Sequence, residues 1–286
     1  MPSPTTETRT LDDLILVLMD LGVIGRADDL IDAELLVGWE GAVVRTGDGW
    51  IYRFGRKDQA SFLRELEVLA LVEGHLGVAT PHVETVDYPH QLMAYRTITG
   101  ADLDLPRLLG QSPAQRQPLT RSLAFVLASM HSLSETAVNR FAVPVIDPIP
   151  MVEEVRAVRL SLGRHDRAAL DEMLAAWERS GISGQADQPV LLHGDFHFGN
   201  MVFSHRVGPV TGIWDFSCTE LGDPTVDLRY LAGDSAILAE EIGTAYAALT
   251  GRNLDVGNAR LMSALEAVSD AVSERRPLGE ALSRWP

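Results

Sequence analysis

Cysteine is almost absent from this sequence. Cys218 stands alone among 286 residues, which excludes an internal disulfide and any metal site built on a cysteine cluster. Lysine is as scarce: Lys57 is the one lysine among 24 basic side chains. Basic charge as a whole is in deficit, with 40 acidic side chains against those 24 and a formal charge of −16. That balance argues against nucleic acid and against an anionic membrane surface as partners, because both attract basic patches. An acidic surface would suit a cationic small molecule, although simple solvation explains it without one. No stretch approaches the ~18 consecutive apolar residues of a membrane-spanning helix. A leader peptide is not expected either, since Leu14–Met19 is flanked by Asp12, Asp13 and Asp20 and has no basic region before it. These absences leave a monomeric cytoplasmic enzyme as the simplest expectation. What is present is a hydrophobic share of 46%, enough for one large domain or two lobes.

The first hundred residues read as a small sheet with helices. Thr10 suits an N-cap, Asp12 and Asp13 suit a first helical turn, and Leu11, Leu14, Ile15, Leu18 and Leu21 recur at helical spacing until Gly22. Leu35–Val37, Ala42–Arg45 and Trp50–Phe54 alternate as three short strands, turning at Gly38–Gly41 and at Thr46–Gly49. Gly38 and Gly41 are too sparse for a phosphate-binding loop of recognisable pattern. Gln59–Leu76 carries Phe62, Leu66, Leu69, Val72 and Leu76 along one helical face, with Glu65 and Glu67 in its middle. Pro81–Val83 and Gln91–Tyr95 complete a set of about five strands, and beyond Thr97 the pattern turns helical. The sequence therefore divides into a lobe at 1–97, with a leading helix, about five strands and one long helix, and a mainly helical lobe at 98–286. Tyr95 to Ile98 marks the crossing, where backbone groups could meet a purine edge.

In the second part, Leu119–Met130 reads as a buried helix ending at a packing or capping histidine, His131. A proline-rich loop follows at 141–150, and then two amphipathic acidic helices at Met151–Leu162 and Asp166–Trp177. Their Glu153, Glu154, Asp171 and Glu172 read as solvated charges first, and as the place where a cationic substrate would be recognised second.

Chemistry concentrates in Leu191-Leu192-His193-Gly194-Asp195-Phe196-His197-Phe198-Gly199-Asn200. Asn200 lies five positions after Asp195. A hairpin of Met201–Phe203 and Val210–Trp214 then returns the chain to a second carboxylate, Asp215. An Asp, an Asn five later and an Asp beyond a hairpin is the arrangement with which kinases hold a hydroxyl and magnesium beside a nucleotide. Such a site also needs a cation on the third strand, oriented by a carboxylate from the following helix. Arg53 and Glu65 fit those two roles; Lys57, past Gly55, is the rival cation. By themselves, without the downstream motif, Arg53 and Glu65 would sooner read as an exposed strand arginine and a solvated helix glutamate. After the hairpin, Asp223 suits an N-cap and Pro224 a first helical position.

His193-Gly194-Asp195 with Asn200, Trp214-Asp215-Phe216, and Gly222-Asp223-Pro224 with Asp227-Leu228 together resemble the aminoglycoside/macrolide phosphotransferase family. Trp50–Arg53 and Arg64–Leu71 are similar to the third strand and following helix of its macrolide branch, which also places an arginine at the position of Arg53. The resemblance covers roughly residues 35 to 232. It implies an α+β, two-lobed protein-kinase-like fold, a small antiparallel-sheet lobe for the nucleotide and a larger helical lobe for catalysis and substrate. The implied co-substrate is ATP or GTP with Mg2+, and the acceptor is a small-molecule hydroxyl, such as a macrolide 2′-hydroxyl or an aminoglycoside hydroxyl. Homoserine- or choline-kinase-like metabolite kinases share the same residues and stay open. In this scheme Asp195 receives the hydroxyl hydrogen, Asn200 and Asp215 hold the metal, Arg53 oriented by Glu65 holds phosphate oxygens, and His193 and Asp227 brace the loop. The sequence departs from the family at the bulky Phe196-His197-Phe198 and at Arg229, which stands where a small residue is usual. Two other classes compete. A zinc hydrolase would use His193, Asp195 and His197 but leaves Asn200 and Asp215 without a task; a non-catalytic pseudokinase would not need base, metal ligands and cation together.

Overall fold

Leu11–Asp20 forms a helix (α1) because its acidic first turn complements the helix dipole and Leu14 and Leu18, one turn apart, fall on one buried face. Gly22 ends it in the left-handed conformation, φ +68°, with its N–H bonded to the Met19 carbonyl at 2.9 Å. The computed structural model describes residues 11–22, 24, 33–37, 41–55, 58–182, 186–283 and 285. Thr10, the Gly38–Glu40 turn and Lys57 lie outside the described residues. The chain forms two compact units, residues 1–66 with 81–97, and residues 67–80 with 98–286.

The first unit is a five-stranded antiparallel sheet in the order β1-β2-β3-β5-β4. Its strands are β1 (Glu34–Val37), β2 (Gly41–Arg45), β3 (Trp50–Gly55), β4 (Val83–Asp87) and β5 (Leu92–Arg96). Strand alternation assigns its faces. Tyr52 and Phe54 of β3, Ala42 and Val44 of β2, and Leu92 and Ala94 of β5 point one way, and Leu14 and Leu18 of α1 pack on them. Arg53, between Tyr52 and Phe54 and paired in register with Val43 and Met93, lies on the opposite face. A long helix, α2 (Gln59–Val72), follows β3. It stops four residues before the expected Leu76, where Gly74 and Gly77 take positive φ. The unit boundary passes through it after Leu66, so residues 67–80 belong with the second unit and not with the lobe expected at 1–97. One strand was also misplaced: β4 begins at Val83, leaving Pro81 and His82 outside it, consistent with the missing proline N–H.

The second unit opens with α3 (Leu105–Leu109) and α4 (Pro113–Ser132). The latter starts six residues before the expected helix because Ser112 and Gln115 make a capping box. Then come α5 (Ser134–Arg140), α6 (Ile149–Ala157) with a 3-10 turn to Ser161, and α7 (Arg164–Ser180). Next are the strands β6 (Val190–Leu192), β7 (Met201–Phe203), β8 (Val210–Ile213) and β9 (Glu220–Gly222), followed by a 3-10 turn at Pro224–Leu228. Four helices close the unit: α8 (Arg229–Asp234), α9 (Ala236–Thr250), α10 (Val256–Ser273) and α11 (Leu278–Leu282). β6 pairs antiparallel with β9, and β7 with β8. Val152, Val155, Leu170, Met173, Leu174, Leu261, Leu265 and Val268 from three helices pack with Val190 and Leu192 of β6 and with Val226. That core fixes the strand which delivers the chain to His193. At ~25 cal/mol per Å² of apolar surface, each of these fully buried side chains contributes about 1.5–3 kcal/mol before entropy is counted.

Candidate functional site

Three fully apolar residues bury β6, and the chain leaves it through His193 into Gly194, whose φ is +81°. A side chain at Gly194 would put its Cβ 1.9 Å from the Cys218 carbonyl oxygen, so only glycine fits this turn. The two backbone N–H groups thus exposed, of His193 and Gly194, donate to the Asp227 carboxylate at 2.8 and 2.9 Å. Asp227 has no exposed surface. It sits in the 3-10 turn that Asp223 caps by accepting the Thr225 N–H at 2.8 Å. His131 Nε2 lies 3.2 Å from the same carboxylate, and its Nδ1 lies 2.8 Å from the Tyr246 hydroxyl. Burial pushes the Asp227 pKa up, but the hydrogen bond and charge of His131, the charge of His193 and the Gly194 amide outweigh it and leave the carboxyl below its ordinary range. His131 is therefore a packing histidine, as expected, buried edge-on against Tyr246. It supports the carboxylate that supports the loop.

His193 is completely buried and its pKa is lowered by that burial, against the pull of Asp227, Asp195 and Asp215. Its Nδ1 accepts the Asp195 N–H at 3.2 Å, so the ring hydrogen is on Nε2, which donates to the Trp214 carbonyl at 3.1 Å. One neutral tautomer satisfies both contacts. The Trp214 N–H in turn donates to the Asn200 carbonyl at 3.1 Å. The β7–β8 register, Met201 opposite Ile213, makes that contact possible by placing the residues just outside it side by side. The hairpin thus returns Asp215 beside the loop. Asp215 holds a left-handed backbone, φ +64°, unusual for a residue with a side chain and costing ~1–3 kcal/mol. Ser217 Oγ donates to its Oδ1 at 2.7 Å.

The Asp195 carboxylate, 26% exposed, is held from two sides. The Asn200 amide donates to the Asp195 carbonyl at 3.0 Å and to Oδ2 at 2.7 Å, which leaves Asn200 Oδ1 as the remaining ligand atom of that amide. His197 Nε2 lies 3.4 Å from Oδ2, while its Nδ1 accepts the Gly199 N–H at 3.0 Å. Partial burial raises the Asp195 pKa, yet hydrogen bonds from His197 and Asn200 and the His197 charge bring it below its ordinary value. The His197 pKa is raised in return, first by its hydrogen bond to Asp195. Asn200 Oδ1 and Asp215 are hard oxygen donors of the kind magnesium prefers. Among the described residues, no group of three or more His, Cys, Asp or Glu could hold a metal by itself.

The second unit therefore brings together His193, Asp195, Asn200, Asp215 and Asp227. In the first unit Arg53 Nη1 lies 3.2 Å from Glu65 Oε1, both side chains 9% exposed. They form a buried pair, unlike Glu67, which meets Arg140 in a half-exposed pair within the second unit. Tyr95 is buried in β5 and Ile98 is the first residue past the boundary. Sequence reasoning missed the contact of His131 with Asp227, the contact of His197 with Asp195, and the buried arginine Arg229. Only Arg229 left a signal, as a charge in a position where the family is small.

Residues 33–262 match the sequence model of a family described as the phosphotransferase enzyme family. Acyl-CoA dehydrogenase family member 10 of Mus musculus is 26% identical over 176 residues, 58% of this chain and 16% of that protein. The chain spans about a sixth of the length of the curated relatives it matches. Among solved structures, the GDP and kanamycin complex of APH(2")-IIia superposes with a TM-score of 0.72 at 22% identity, covering 92% of this chain and 90% of that one. Macrolide 2'-phosphotransferase MphH from Brachybacterium faecium superposes with a TM-score of 0.64 at 19% identity, covering 96% and 98%. The shared fold is the α+β, kinase-like one with an antiparallel-sheet unit and a mainly helical unit.

Proposed function

We propose, since this chain belongs to the phosphotransferase enzyme family, that it is a small-molecule kinase transferring the γ-phosphoryl group of ATP or GTP to an antibiotic hydroxyl. One observation carries the reading: the Asn200 amide donates to both the carbonyl and the carboxylate of Asp195, and the β7–β8 hairpin returns Asp215 beside the same loop. Phosphoryl transfer passes through a loose transition state that needs positioning and charge neutralisation more than a strong base. Asp195 suits that need. With its pKa held low it is ionised at neutral pH, accepts the hydrogen bond of the acceptor hydroxyl, aims that oxygen at phosphorus and takes the proton late. Asn200 and Asp215 would hold magnesium, which when bound neutralises phosphate charge. In the first unit, Arg53 would hold phosphate oxygens, with Glu65 fixing its guanidinium; backbone groups from Tyr95 to Ile98, where the chain passes from the first unit into the second, would meet the purine edge. Asp227, His193 and His131 keep the loop in shape.

The antibiotic acceptor rests on coarser support: structural neighbours that act on a macrolide or hold kanamycin, and a charge of −16 that suits a polycationic sugar. A metabolite kinase for choline or homoserine is the second reading, since it would use the same loop. Zinc hydrolysis is not supported, because both ring nitrogens of His193 are committed to backbone groups. The test incubates the protein with Mg2+, ATP or GTP and a panel of aminoglycosides, macrolides, choline and homoserine, with products identified by mass spectrometry. A phosphorylated antibiotic is the expected result. Phosphocholine or phosphohomoserine alone would replace the antibiotic reading, and no nucleotide turnover with any acceptor would remove the kinase.

A further inference from the structure

Asp195 follows a left-handed glycine, and a glycine permits more than one orientation of the peptide that follows it. The Gly194–Asp195 peptide is nevertheless held at both ends. Its N–H donates to His193 Nδ1 at 3.2 Å, and its carbonyl oxygen accepts from Nη2 of Arg229, 35 residues further along the chain. Arg229 opens α8 and is buried, 7% exposed. Each of its nitrogens donates elsewhere as well: Nη1 to the Val226 carbonyl at 3.2 Å, Nε to Glu266 Oε2 at 2.7 Å and Nη2 also to the Tyr230 hydroxyl at 3.1 Å. Glu266, on α10, also accepts from the Tyr230 hydroxyl at 2.6 Å. The guanidinium lies over the Tyr230 ring, 4.3 Å from its centroid, and the same ring meets His197 edge-on at 5.7 Å. His197 is the partner of Asp195. Arg229 and Tyr230 thus reach the reacting carboxylate by two routes, one through the backbone before it and one through the histidine beside it.

We propose that Arg229 is a positioning residue for phosphoryl transfer: anchored by Glu266, its planar fork fixes the Gly194 carbonyl and so the direction in which Asp195 presents its carboxylate. This rests on the kinase reading for its consequence in turnover, though not for its consequence in the loop. Only a guanidinium can do it. A lysine ammonium is a point donor and cannot reach Gly194, Val226 and Glu266 at once in fork geometry. A burial this complete of a charge is costly unless every donor is used, and here the acceptors are a catalytic-loop carbonyl and a glutamate of the core helix. A plain staple between α8 and α10 would need Glu266 but not Gly194.

The test separates those two roles. Arg229→Met with Glu266→Met replaces the ion pair by apolar side chains of similar volume, which tends to preserve folding; Arg229→Lys is the second variant, keeping charge without the fork. Hydrogen exchange of the 193–200 segment is measured beside thermal unfolding, and turnover is measured as nucleotide consumption with the kcat and KM for nucleotide separated. The expected result is exchange in 193–200 faster by at least ~10-fold, with α8 and α10 protected as in the wild type. Alongside it, kcat falls by ~10- to 100-fold with KM for nucleotide within about twofold, as a small misplacement of a catalytic group predicts. Exchange in 193–200 that matches the wild type in both variants overturns the proposal, as does exchange that rises equally along α8 and α10 with kcat per folded molecule unchanged. A wild-type protein that consumes neither ATP nor GTP counts against the kinase reading, and the exchange data then decide the role of Arg229 alone.

Discussion

The side-chain amide of Asn200 donates to Asp195 twice, at the backbone carbonyl and at Oδ2, 3.0 and 2.7 Å away. One residue thereby sets both where the Asp195 backbone lies and how its carboxylate is turned. Replacing Asn200 by Ala removes both contacts and the proposed Oδ1 ligand. A loss of at least ~10² in kcat is expected, together with a higher Mg2+ concentration for half-maximal turnover. Asp195→Ala should cost at least ~10³ in kcat with nucleotide affinity kept. Near-normal turnover in the Asp195 variant would end its assignment as the hydroxyl partner.

Gly194→Ala should be among the most damaging single substitutions. Left-handed backbone costs an alanine ~1–2 kcal/mol, and the added Cβ would meet the Cys218 carbonyl oxygen at 1.9 Å. A total near ~3 kcal/mol is expected in denaturant unfolding. Adding Cys218→Ala should not rescue it, since the clash is with backbone and not with sulfur. Rescue by that second change would disprove the stated cause.

Stability should fall in acid, in two steps, the first set by burial of His193 and the second by the hydrogen bonds that hold the Asp227 carboxylate. His193 has its pKa lowered below an ordinary 6.5, so the unfolded chain binds that proton more readily than the folded one. The stability this represents is full above 6.5 and is lost as pH drops towards the folded value. Asp227, lowered from 3.8, adds a second loss at lower pH. Urea midpoints between pH 8 and pH 3 check this. His193→Gln should show a smaller drop between pH 7 and pH 5 than the wild type, and an equal drop would dismiss His193 as the source.

Arg53→Ala takes from Glu65 its buried guanidinium partner, for which ~3–5 kcal/mol of destabilisation is expected. Arg53→Met with Glu65→Met should recover most of that stability without recovering nucleotide binding, measured by calorimetry. Wild-type nucleotide affinity in the double variant would show that Arg53 is structural only.

Much of the site was legible before any coordinates, because its residues are local in sequence or tied by a hairpin. Asp195 and Asn200 are five apart, and the β7–β8 hairpin is a short-range structure whose register delivers Asp215. Parity along β3 also separates Arg53 from the buried Tyr52 and Phe54. Less legible was where helices stop: α2 ends at Val72 and α4 begins at Pro113, boundaries set by glycine conformation and a capping box rather than by apolar spacing.

By itself, then, the sequence determined the strand-rich and helical parts and the close pairing of Asp195 with Asn200, since these depend on periodicity and on neighbours a few residues away. Only the tertiary structure decided what surrounds Asp195 from afar. His131 reaches Asp227 across 96 positions, and Arg229 reaches Gly194 across 35 and Glu266 across 37. Such pairs leave no spacing rule in the chain; what selects them is the cost of burying a charge or a backbone carbonyl without a partner.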